Sequence, residues 1–112
     1  MKRGEIWTAA GGEAYAGKPR PVVVLQDDRF AATGSVMVCP FTSNLLPAAC
    51  RVVIEPTEGN GLRERSCVMV DKLMTLPRRR LRNPIGRLNV AALLNINRAV
   101  LVFLGIAGER SR

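Results

Sequence analysis

The chain has 112 residues, of which 47% are apolar, with 17 Lys and Arg against 9 Asp and Glu, no histidine, three cysteines and a formal charge of +8. That length fits one domain with a real core rather than two, and without histidine neither paired-histidine nuclease chemistry nor a zinc site on the widely spaced Cys39, Cys50 and Cys67 is available. All but three of the basic residues are arginine, which forks onto phosphates and carboxylates, so a polyanionic partner is expected; the plain alternative is a basic protein with no nucleic-acid target.

Glu5 to Thr8, around Trp7, reads as a first strand, with Trp7 as a core residue, followed by the glycine- and alanine-rich loop AAGGEAYAGKP. Pro21 biases Arg20 toward extended backbone, and Val22 to Leu25 continue as a strand buried on both faces. Asp27 to Gly34 is a connection. Asp27 and Asp28 resemble a metal pair only superficially, since neighbours on a strand point to opposite faces. VMVCPFTS is a third strand ending in hydroxyls, Asn44 to Ala49 a loop, and RVVIEP a fourth strand before the turn EGNG, whose Asn60-Gly61 pair suits positive φ. Ser66 to Leu76 reads as the fifth and longest strand. PRRRLRNPIGRL packs five arginines and reads as a solvated turn that contributes a general positive field. Asn89 caps a helix over Val90 to Leu104 that stops at Gly105, with Leu93, Leu94, Val100, Leu101 and Leu104 on one apolar side and Asn97 interrupting it.

Short strands close in sequence followed by one helix predict a small, strongly bent antiparallel sheet or barrel, a single domain over residues 1–112. The longest apolar run, Ala99 to Ala107, falls far short of the roughly 18 residues of a membrane span, and MKRGEIW has no signal region, so a cytoplasmic protein with reduced thiols is expected.

Two strand ends are suited to chemistry: Lys18-Pro19-Arg20-Pro21 at the start of the second, and Thr42-Ser43-Asn44 at the exit of the third. If these strands pair antiparallel, Arg20 faces Thr42. A guanidinium beside hydroxyls suits a phosphodiester passing through a five-coordinate phosphorane, and RNA brings its own 2′-hydroxyl nucleophile, so neither metal nor histidine is obligatory. Arginine holds its proton to above about pH 12, which leaves Glu13 in the first loop or Asp71 on the fifth strand as the better proton acceptor. The bland reading makes Arg20 a surface residue paired with an acid, and Thr42 a strand end. Tyr15 is the best candidate for stacking on a base.

RGEIW, GKPRPVVVLQDD, VCPFTS, GL before SCVMVDKLMTLPRRRL, and IGRL before the closing helix together resemble the MazF/PemK family of toxin endoribonucleases, in that family's order and over nearly the whole chain. The resemblance implies an SH3-like β-barrel of the CcdB/MazF/PemK type with a C-terminal helix, a homodimer, and metal-independent, cofactor-free cleavage of single-stranded RNA, as an mRNA interferase, at short sequence motifs. It also implies an acidic cognate antitoxin that covers the RNA groove. By that resemblance Arg20 is the catalytic arginine and Thr42 the hydroxyl that steadies the scissile phosphate, with Ser43, Asn44 and Lys18 as groove contacts. Gly12 and Met69 depart from relatives that carry histidine and arginine there, which leaves the proton-transfer partner open. A CcdB-like gyrase-binding toxin and a non-catalytic RNA-binding barrel are the alternatives.

Overall fold

The computed structural model describes residues 1–10, 18–45, 48 and 50–107. Seven strands precede one helix: β1 (Glu5–Ala9), β2 (Arg20–Val24), β3 (Ser35–Thr42), β4 (Arg51–Ile54), β5 (Ser66–Met69), β6 (Met74–Pro77), β7 (Leu81–Arg87) and α1 (Val90–Phe103). They form one antiparallel sheet in the order β4-β5-β3-β2-β1-β7, with β6 also on β3.

The single strand expected over Ser66 to Leu76 is two. Val70–Lys72 forms a 3-10 turn between β5 and β6, and β3 is long enough to pair with both, Phe41 and Thr42 with β5 and Ser35 to Val38 with β6. Asp71 therefore lies in this turn and not on a strand. The arginine-rich segment read as a turn supplies a one-turn helix, Arg78–Arg80, and the whole of β7, which pairs along β1 from Glu5↔Arg87 to Ala9↔Leu81.

The sheet buries both faces, which is why β2 reads as an unbroken apolar run. Val23, Cys39, Phe41, Val68 and Val70 pack beneath Ile96 and Ala99 of α1. Val22, Val24, Val36 and Val38 point the other way, onto Ala9 and Leu81, with Trp7 packed against them and its Nε1 donating to Glu5 Oε1 at 3.2 Å.

The architecture is mainly β with one C-terminal helix, and the expected barrel stays open, with β4 and β7 as its edges. The β4–β5 loop spans that gap: the Arg87 N–H donates to Gly59 O at 3.0 Å. Buried Asn60 holds the loop's shape, its Oδ1 accepting from the backbone N–H groups of Thr57 and Leu62 while its Nδ2 donates to Glu55 O. Gly61 has the positive φ expected there, +69°, and a Cβ at that position would sit 2.1 Å from Ile85 O on β7.

Asn89 caps α1, its side chain accepting from Ala92 N at 2.8 Å. At the other end Gly105 turns left-handed, and the N–H groups of Gly105 and Ile106 donate to Val102 O and Leu101 O, closing the last turn in the Schellman pattern. The buried stripe is Ile96 and Ala99, while Leu94, Leu101 and Leu104 are exposed, so the apolar side anticipated for the helix lies largely outside the core. Asn97 interrupts that side because its Oδ1 accepts from Arg3, whose Nε also donates to Leu25 O. Among the described residues no helix is long and apolar enough to cross a membrane.

The Val70–Lys72 turn is pinned to β4 by a two-pronged ion pair, Arg51 Nε and Nη2 each 3.1 Å from an Asp71 carboxylate oxygen. Hydrogen bonding from Arg51 holds the Asp71 carboxyl below its ordinary value of 3.8. A carboxyl lowered in the folded state adds stability above its unfolded pKa and loses it as the pH falls through the folded one. Wild-type protein should therefore lose melting temperature as the pH drops below about 3.8, and Asp71→Asn should be less stable near neutrality with a flatter acid limb; parallel thermal melts across pH check this. Gly61→Ala should cost at least about 1–3 kcal/mol in chemical denaturation, from backbone strain before the clash with β7 is counted.

Candidate active site

The register of β2 on β3 decides what the strand ends can do. Val22 lies opposite Pro40, Val23 opposite Cys39 and Val24 opposite Val38. Two residues further toward the strand ends, the same register sets Arg20, the first residue of β2, across from Thr42, the last of β3. Side chains alternate along a strand, so Arg20 shares a face with Val22 and Val24, and Thr42 shares that same face with Val36 and Val38. Both line one cleft of about 270 Å³, together with Ser43, Glu64, Ser66 and Met69.

Arg20 is exposed in the cleft mouth, between β3 on one side and β1 on the other, where Ala9 is its partner. Thr42 is half-buried, and its Oγ1 accepts from Asn44 N at 3.1 Å. A hydroxyl that accepts in this way still has its own proton to donate, and among the described residues no acceptor takes it. Arginine and threonine thus present donors to the same space, an arrangement suited to the oxygens of a phosphoryl group.

The third wall comes from the start of β5, which pairs with Thr42 through Cys67. Ser66 is buried there, and its Oγ donates to Glu64 O at 3.0 Å, fixing the backbone of the loop just ahead of the strand. Glu64 is exposed and is the one carboxylate among the described residues that lines the cleft. Sequence reading overlooked Glu64 and Ser66; the signal was their place just ahead of, and at the first residue of, a strand that lies antiparallel to FTS.

The other anticipated residues divide. Ser43 lines the cleft, whereas Asn44 and Lys18 are exposed beside it without lining it, Asn44 contributing its N–H to Thr42. Asp71 is outside the cleft lining and is engaged by Arg51. Glu13 and Tyr15 lie outside the described residues. Asp27 and Asp28 serve the connection after β2, Asp27 accepting from Arg29 N and Asp28 from Arg3 N. Within the arginine cluster, Arg78 is spent on structure, donating to Thr33 O and Phe30 O, while Arg79 and Arg82 are exposed. The thiols take no part in the cleft: Cys39 and Cys67 are buried, and burial, reinforced by the Asp71 charge, pushes the Cys39 thiol up to about 12.

Known proteins resemble this chain in sequence and fold. The chain is 52% identical, over 96% of its length and the whole of the relative, to a probable endoribonuclease MazF of Mycolicibacterium smegmatis. Among solved structures it is similar to the Mycobacterium tuberculosis toxin MazF-mt6, at 25% identity and a TM-score of 0.78 over 91% of this chain and 97% of that one. It is also similar in fold to a mycobacterial endoribonuclease solved in complex with its cognate antitoxin, at 21% identity and a TM-score of 0.80 over 95% and 96% of the two chains. The family model of the PemK-like, MazF-like toxins of type II toxin-antitoxin systems matches residues 2–104, and this chain belongs to that family.

Proposed function

We propose that the chain is a toxin endoribonuclease that cleaves single-stranded RNA, mRNA above all, at short sequence motifs, by attack of the substrate's own 2′-hydroxyl on the adjacent phosphorus. The observation that carries this reading is the convergence of Arg20 and Thr42, from adjacent strand ends, on one cleft. Family membership and near full-length likeness to a probable endoribonuclease support it from a second side.

In this mechanism the Arg20 guanidinium binds the non-bridging oxygens, where negative charge grows toward the transition state, and Thr42 donates a further hydrogen bond to the same group. Ser43, Asn44 and Lys18 orient the flanking nucleotides. The products are a 2′,3′-cyclic phosphate and a 5′-hydroxyl, and the lost assistance of one charge-stabilising donor is worth on the order of 10²–10³ in rate. The formal charge of +8 supplies the attraction for a polyanion.

The same reading gives the toxin a cognate antitoxin of acidic character in the cytoplasm, supported by the family's place in type II toxin-antitoxin systems and by the basic surface. It also gives a homodimer. The C-terminal half of α1 leaves Leu101 and Leu104 exposed beside Met37, around a groove that Leu25, Leu73 and Val100 line, an apolar surface of the kind that marks an association site.

Incubation of the purified protein with a long RNA in EDTA should yield discrete fragments, and Arg20→Ala should lower that rate by at least about 10²-fold while keeping the wild-type melting temperature, because the side chain leaves the mouth of a cleft and not the core. Intact RNA with wild-type protein, or full activity in the variant, would overturn the assignment. A substrate with deoxyribose at the cleaved position alone should resist the enzyme and remain bound; cleavage of that substrate would exclude the 2′-hydroxyl as nucleophile.

A further inference from the structure

The proposed reaction needs an acceptor for the 2′-hydroxyl proton, and neither Arg20 nor Thr42 is a suitable one, since arginine stays charged at neutral pH and a threonine hydroxyl is a weak base. We infer that the Glu64 carboxylate, on the wall of the cleft it shares with Arg20 and Thr42, takes that proton. The inference rests on the endoribonuclease reading and adds the base to it.

Three features of the structure favour this residue. Glu64 lines the cleft, and the hydrogen bond from buried Ser66 Oγ to its backbone oxygen fixes its place next to the strand that pairs with Thr42. Asp71, the acid that sequence reading placed on that strand, is turned to Arg51 in a two-pronged ion pair and does not line the cleft. Met69 lines the same cleft and has no proton to give or take, so the exchange falls to other side chains.

The charged neighbours of Glu64 are mainly basic. Arg63 and Arg65 flank it in the loop, and Arg65 is engaged by Glu55 through a 2.8 Å contact. Arg20, at the start of β2, lines the same cleft.

The chemical balance is simple. As the 2′-oxygen bonds to phosphorus its proton passes to a Glu64 oxygen; the bond from phosphorus to the 5′-oxygen breaks, and that oxygen leaves as an alcohol with a proton from water. Glu64 then returns its proton to solvent, and nothing is oxidised or reduced.

The test compares Glu64→Gln, Asp71→Asn and Glu13→Gln in single-turnover cleavage of a defined RNA across pH, with binding of an uncleavable all-deoxy oligonucleotide measured alongside. Glu64→Gln should lose about 10²-fold or more in cleavage rate and the acid limb of the wild-type pH profile, keep its melting temperature, and bind the oligonucleotide as well as wild type or better. Glu64→Asp should recover part of the rate with an acid limb restored. Asp71→Asn and Glu13→Gln should keep the limb. An unchanged limb in Glu64→Gln, or its loss in either other variant, would overturn the assignment to Glu64. These outcomes are read independently of the Arg20→Ala test, so an active wild type with an unchanged Glu64→Gln profile removes this inference and leaves the endoribonuclease reading in place.

Discussion

The alignment of β2 on β3 is the constraint on which the site depends. Because side chains alternate with period two, a slip of one residue would turn either Arg20 or Thr42 onto the opposite face of the sheet and separate them. The register is held from both sides at once. Val22, Val24, Val36 and Val38 fill one core and Val23 and Cys39 the other, and each of the six is at most 1% exposed. A slip would exchange residues between two closely packed cores, so the valines that look purely structural are what set a guanidinium opposite a hydroxyl.

That pairing was legible in the sequence because its signals are local. Pro21 biases Arg20 toward extended backbone, an apolar run follows, and FTS marks where the next strand runs out into solvent. The helix was legible for the same reason, with an asparagine cap at one end and a left-handed glycine at the other. What stayed hidden depends on partners distant in sequence. β7 is a strand despite its arginines because β1 offers it a ladder, and its exposed Arg82, Asn83 and Pro84 carry no alternating apolar pattern to announce it. The break between β5 and β6 falls on Val-Asp-Lys, which contains neither Gly nor Pro; it exists because β3 takes the two segments in different registers and Arg51 holds Asp71. Glu64 became visible only when the loop ahead of β5 was set beside Thr42.

Two acids therefore part company. Asp71 does structural work, joining the turn between β5 and β6 to β4, and the charge that it brings near Cys39 helps keep that thiol protonated. Glu64 is left in the cleft with a fixed backbone and an accessible side chain. On the proposed reading, a fold without histidine divides the tasks of phosphoryl chemistry among an arginine and an alcohol at two strand ends and a carboxylate in the loop ahead of a third strand.

The most direct measurement of the central claim is a double-mutant cycle between Arg20→Ala and Thr42→Val, read as the single-turnover cleavage rate on one defined RNA. Groups that stabilise the same phosphate should be strongly non-additive, with a coupling above about 1 kcal/mol and the double variant little slower than the worse single one. Rates that multiply, leaving a coupling near zero, would contradict a shared phosphate and with it the site described for this chain.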